Sequence, residues 1–222
     1  MKILATIAGF GLLLGTASVL VAQPAAVSSI KPRDLVEYES APPAIQRLIE
    51  SSLKLTRRDL AYTFGSNSPT QGGMDCSGTI QHTLQSLGFA GVPRMSHLQY
   101  LWAKKHGRII RTDGVHSTDH AVFSKLMPGD LLFWEGTYAV AERDPPISHV
   151  MIYLGTLKAD GKGVVFGASS GRRYRGKKIH GVSVMDWRVP SKASKSKFVA
   201  YGPIPGLRGW DNPDAWHREG GE

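Results

Sequence analysis

With 222 residues, 27 Lys and Arg against 18 Asp and Glu, and 41% hydrophobic residues, the chain carries a formal charge of +9. This composition excludes a disordered or collagen-like polymer, and a single cysteine excludes an internal disulfide framework. A basic surface attracts polyanions, but none of the nucleic-acid-reading motifs and no interleaving of aromatic with basic residues accompanies the charge, so nucleic acid is not the expected partner.

In chain order, Lys2 is followed by an uncharged, mostly apolar stretch over 3–21 and then by Ala22-Gln23-Pro24. This pattern predicts a signal peptide at 1–22, cleaved after Ala22, and an exported protein of the periplasm or extracellular space. Leu20 is larger than the usual residue three positions before the cut, which leaves an uncleaved anchor open as the alternative. No later apolar run is long enough to span a bilayer, so no membrane span is expected once the signal is removed. The remaining chain of about 200 residues is sized for one domain with a sizeable core. Residues 23–43, interrupted by Pro24, Pro32, Pro42 and Pro43, read as a linker or N-terminal arm outside that core. Ile45, Leu48, Ile49 and Leu53 then follow helical spacing.

The one cysteine lies in Gly72-Gly73-Met74-Asp75-Cys76-Ser77-Gly78, a glycine-rich turn. From Cys76 the apolar residues Ile80, Leu84 and Leu87 recur at four and three positions until Gly88, which predicts an amphipathic helix with the thiol in its first turn. The helix dipole and unpaired N–H groups there favour thiolate, and the polar neighbours Asp75 and Ser77 suggest a site near the surface. A lone thiol in an exported protein points to nucleophilic catalysis or to pairing with another molecule.

A further helix, the third, is expected near 96–104, burying Leu98, Leu101 and Trp102, and a short strand at 108–111. The chain then turns to strands: 131–134 after the turn Met127-Pro128-Gly129-Asp130, then 147–154, 163–169 as its hairpin partner, 182–187 and 198–201. Helices followed by strands predict an α+β domain over 44–203, its helical half carrying Cys76 and packed on an antiparallel, barrel-like sheet, with 204–222 as a tail. Of eight histidines, His149 stands out because it opens the apolar run Val150-Met151-Ile152-Tyr153-Leu154, which would hold its ring rigidly at the end of a core strand. His82 lies six residues into the cysteine helix, too far round to face the thiol. Zinc-type ligand spacings are missing, so neither a metal nor an organic cofactor is expected.

Five motifs, Tyr62-Thr63-Phe64-Gly65, Gly73-Met74-Asp75-Cys76-Ser77-Gly78, the segment 94–99, Leu126-Met127-Pro128-Gly129-Asp130-Leu131 and Ser148-His149-Val150-Met151-Ile152-Tyr153-Leu154-Gly155, occur in an order that resembles the NlpC-type cysteine peptidases. These are papain-like bacterial enzymes that cut cell-wall peptides. The resemblance implies a papain-like α+β fold, Cys76 as nucleophile, His149 as general base, and Tyr62 as a hydroxyl at the oxyanion hole. It also implies peptidoglycan or murein peptides as partners, with Asp75 and Ser77 contacting the substrate's free amine, although Asp75 is explained equally well as an N-cap. Arg172 opens the basic segment 172–178, which offers a rim for substrate carboxylates or is simply a solvated loop.

One position departs from the pattern. Where the family usually places a third polar residue, most often histidine, this chain has Gly167. Ser169, one pleat further along the same strand face, is the candidate substitute; His180, a backbone carbonyl or a water are the alternatives. The expectation is therefore an exported peptidase of peptidoglycan stem peptides. The alternatives are a non-catalytic wall-binding relative and an amidase or acyltransferase using the same thiol.

Overall fold

The computed structural model describes residues 23–106, 109–140 and 143–209. The expected signal peptide at 1–22 and the end of the tail at 210–222 lie outside the described residues. Three helices pack on one face of a six-stranded sheet. Helix α1 (Pro43–Leu55) begins with a proline, whose missing N–H costs nothing in a first turn, and buries Ile45, Leu48, Ile49 and Leu53 at helical spacing. Each such side chain contributes about 1.5–3 kcal/mol on leaving water. Helix α2 (Cys76–Ser86) is capped by Asp75, whose Oδ1 accepts the Gly78 N–H at 2.7 Å. It ends where Gly88 takes φ +92° and lets the N–H groups of Gly88 and Phe89 reach back to the carbonyls of Gln85 and Leu84.

Helix α3 (Ser96–His106) forms where expected but turns a different face inward. It buries Ser96, Gln99, Tyr100 and Ala103, while Leu98 and Leu101 stay 37% and 39% exposed. Polar anchors decide this register: Gln99 Nε2 donates to the carbonyls of Ser77 and Pro93, and Ser96 Oγ donates to the carbonyl of Ile147. Leaving those buried carbonyls unpaired would cost more than two half-exposed leucines.

The strands are β1 (Ile110–Arg111), β2 (Asp130–Glu135), β3 (Ile147–Thr156), β4 (Gly163–Ser169), β5 (Gly181–Asp186) and β6 (Lys197–Pro203). They are antiparallel throughout, in the order β1-β6-β2-β3-β4-β5. The expected barrel-like sheet is thus a ladder with β1 and β5 at its ends. Leu131, Phe133, Val150 and Ile152 face the helices, while Leu132, Trp134, Met151 and Tyr153 face a second apolar cluster with Phe123 and Trp187. This is why the runs in β2 and β3 are apolar at successive positions rather than alternating.

Both flanking segments differ from expectation. Residues in 23–43 belong to the core: Leu35 is fully buried and bridges Leu157, Ala26 bridges His180, and Ser28 exchanges hydrogen bonds with Ser183 and Val184. Prolines prevent a long helix there, Pro32 opening only the 3-10 turn Pro32–Asp34, but they do not prevent extended pairing. Past residue 203, Ile204 and Leu207 are buried, and Arg208 bonds the Asp130 carboxylate at 2.7 Å. No helix among the described residues is long and apolar enough to cross a membrane.

Candidate active site

The site is assembled where the first turn of α2 meets the start of β3. A two-residue parallel ladder joins Ala61–Tyr62 to Gly73–Met74 and sets Tyr62 beside the turn leading into the helix. Two glycines permit this packing. A Cβ on Gly73 would collide with the Ala61 carbonyl and one on Gly78 with the Ser66 carbonyl, so the loop lies directly against the helix start.

Cys76 is therefore not at the surface; it is 4% exposed. Burial, then the neighbouring Asp75 carboxylate, push its thiol up to about 11, against the opposing pull of Arg94 and of the Val150 and Ser77 backbone N–H groups. The expected acidic thiol is corrected on this point, because loss of water and an adjacent negative charge outweigh the helix dipole. Alkylation by iodoacetamide should accordingly be slow at pH 7 and rise about tenfold per pH unit toward pH 10, following the thiolate fraction below its pKa. Mass spectrometry of the single cysteine measures it; a rate constant flat from pH 5 to 8 would show a thiolate–imidazolium pair instead.

His149 opens the same junction from β3. It pairs with Trp134 on β2, with ring centroids 5.7 Å apart, and is 7% exposed. Burial first, and Arg172 second, lower its pKa to about 3, so the imidazole is neutral at pH 7. Its sequence neighbour Val150 aims its N–H at the thiol, so one strand supplies both the imidazole and a partner for Sγ. Tyr62 is half-buried, and burial together with Cys76 and Asp75 raises its pKa, keeping the hydroxyl protonated.

The third position is decided by packing. The direction of a Cβ on Gly167 meets the Met151 side chain, Cε at 3.2 Å and Cγ at 3.4 Å. Ser169 does not bond His149: its Oγ accepts the N–H groups of Gly171 and Arg172 at 3.3 and 3.2 Å and shapes the turn after β4. His180 packs its ring against Tyr62, with centroids 6.4 Å apart. Nε2 of His149 is consequently buried without a protein partner.

Asp75 and Ser77 are each 6% exposed and are engaged within the protein. Asp75 accepts from Gly78 and Arg94 on Oδ1 and from Gly65 and Arg94 on Oδ2, and Arg94 also donates to Ser77 Oγ. Arg94 was assigned no role from the sequence; its place in the motif 94–99 was the available signal. Beside this junction opens a cleft of 880 Å³, lined by Tyr62, Phe64, Tyr138, His149, the turn 169–172 and the loop 188–196. Phe64, 72% exposed, meets Tyr138 edge-on at its mouth. Arg172 lines the cleft, but the rest of the basic segment does not: Arg173 bonds the Gly176 carbonyl and Arg175 faces Asp160.

A sequence model described as the NlpC/P60 family matches residues 59–185, which include Tyr62, Asp75, Cys76, Ser77, Arg94, His149, Ser169 and Arg172 but not the cleft loop 188–196. The chain belongs to the NlpC/P60 family. It is a family of cell-wall peptidases, and the α+β architecture with a mostly antiparallel sheet is consistent with its fold. Two solved structures are similar. One is a protein described as similar to lipoprotein, NLP/P60 family, from Staphylococcus aureus subsp. aureus Mu50, at 23% identity and TM-score 0.39, covering 64% of this chain and 36% of that one. The other is an NlpC/P60 endopeptidase from Photobacterium damselae subsp. piscicida, at 14% identity and TM-score 0.40, covering 71% of this chain and 38% of that one. The chain thus matches under two fifths of the length of either NlpC/P60 relative. No curated protein matches it.

Proposed function

We propose that this NlpC/P60 protein is an exported, papain-like cysteine peptidase that hydrolyses amide bonds in peptidoglycan stem peptides, at the link from D-glutamate to a diamino acid. The observation that carries this reading is the meeting of Cys76, at the first position of α2, with the β3 segment that begins at His149, beside a cleft also lined by Tyr62. In the substrate-free protein both thiol and imidazole are uncharged, so attack is coupled to proton transfer. His149 takes the Cys76 proton as Sγ bonds the carbonyl carbon, and the Cys76 N–H and the Tyr62 hydroxyl receive the developing oxyanion. His149 then gives the proton to the departing amine, leaving a thioester, which a water activated by the same imidazole hydrolyses.

The reading is tested by incubating the protein with murein tripeptides and tetrapeptides and locating the cut by mass spectrometry. A single new pair of termini at the D-glutamyl bond is expected; intact peptides after prolonged incubation would reject it. Export is supported by the charge and hydropathy pattern of 1–22, and N-terminal sequencing of the cell-derived protein should begin near Gln23. One observation favours the second reading, a wall-binding relative without turnover: the His149 Nε2 that an orienting residue would hold has no partner.

A further inference from the structure

The cleft beside Cys76 is lined by Arg172, Arg188 and Lys195 and by no carboxylate. These three cations are in different states. Arg188 faces Asp186 at 3.2 Å and Lys195 is exposed to solvent. Arg172 is half-buried, with its guanidinium carbon 4.1 Å from the centroid of the Trp134 ring, and among the described residues no protein carboxylate or other acceptor meets it. Its backbone is fixed from both sides, the N–H by Ser169 Oγ and the carbonyl by the N–H of Ile179 at 2.8 Å. Trp134 is itself fully buried in β2, so the platform under the guanidinium is rigid. A half-buried cation without a counter-ion destabilises a fold, and stacking leaves its N–H edge free to grip a planar anion by two parallel bonds.

We propose that Arg172 is the specificity-determining residue of this cleft, a receptor for a free carboxylate on a residue flanking the scissile amide, through which the protein rejects the amidated counterpart. The inference rests on the peptidase reading above and adds to it the charge state of the substrate. Arg172 lies within electrostatic reach of both Cys76 and His149, so the bound carboxylate is held next to the reacting bond. Neutralising the guanidinium also removes a positive charge that disfavours protonation of His149, making the imidazole a better base once substrate is seated. The remaining cations of the rim are solvated or paired and serve attraction at a distance rather than selection.

The test compares three peptides sharing one cleavable amide: both flanking residues with free carboxylates, and each one amidated in turn. Wild-type kcat/KM should fall about 30-fold for one of the two amidated peptides, the scale of a lost charge-assisted hydrogen-bond pair. Arg172→Gln should cut all three within about threefold of one another, and Arg172→Lys should fall between, since it keeps the charge but loses the fork. Thermal melts alongside should show Arg172→Gln within a few degrees of wild type, because the stack on Trp134 that it loses is offset by removal of a half-buried cation without a counter-ion. Equal wild-type cleavage of all three peptides, or discrimination surviving in Arg172→Gln, overturns the proposal. If wild type cuts none of them, the peptidase reading fails. Calorimetric binding of the same peptides then decides the inference separately: tighter binding of one free carboxylate, lost in Arg172→Gln, sustains it, and equal binding overturns it.

Discussion

Replacing Cys76 by alanine should lower hydrolysis of a murein peptide by at least about 10³-fold, because no other thiol exists in the chain and the covalent route disappears with it. The residual rate would come from substrate binding and the oxyanion donors alone. Stability should change little, but not for want of burial. Cys76 sits in the core cluster, and removing its sulfur leaves a cavity of roughly one atom costing about 1 kcal/mol, or about 2–4 °C in Tm for a domain of this size. Steady-state turnover with a calorimetric scan measures both. Wild-type turnover in the variant would remove Cys76 as nucleophile, whereas collapse of the fold would assign the thiol a structural role.

Arg94→Met should destabilise the protein by about 3 kcal/mol, the lower end of the range for breaking a buried ion pair. The carboxylate of Asp75 is 9% exposed and the Arg94 side chain 30%, so the loss is felt mainly on the aspartate. That carboxylate keeps the N–H groups of Gly65 and Gly78 but loses a guanidinium held at 2.6 and 3.0 Å. Urea unfolding gives the figure, and combining the change with Asp75→Asn should cost less than the sum, since asparagine still caps α2 without leaving a stranded charge. A loss under about 1 kcal/mol would mean that water replaces Arg94 at no cost. Because Arg94 also opposes the upward shift of the Cys76 thiol, the variant's alkylation at fixed pH should be slower than that of the parent.

These two side chains mark the limits of what the linear chain discloses. The α2 helix was legible because Ile80, Leu84 and Leu87 keep a helical period that Gly88 stops, and β2 to β6 because short apolar runs alternate with turns. His149 was legible as a polar residue at the head of such a run. The Asp75–Arg94 pair was not, since 19 positions separate its members and charge carries no address. Nor was the burial of Cys76: Asp75, Ser77 and glycines imply solvent locally, yet those glycines are what lets the loop before them close over the helix start. In α3, counting apolar positions chose Leu98 and Leu101, whereas hydrogen bonds from Gln99 and Ser96 set the face. Gly167 was visible as a departure, but that Met151 packs where a side chain there would point depends on strand register.

The N-terminal arm imposes an order of events on the chain. The bonds between Ser28 and Ser183 span 155 positions, and Leu35 is sealed against Leu157. Synthesis delivers residue 28 first and residue 183 roughly 8–30 s later at common elongation rates. Through that interval α1 and α2 can form locally, but β5 does not yet exist for the arm to join. Contacts so distant in sequence also slow the search itself, toward the millisecond-to-second range of sheet-rich domains. The arm is therefore made before the strand it joins and is among the last segments to be secured, and until then Ile30 and Leu35 remain available to any chaperone that reads exposed apolar chain.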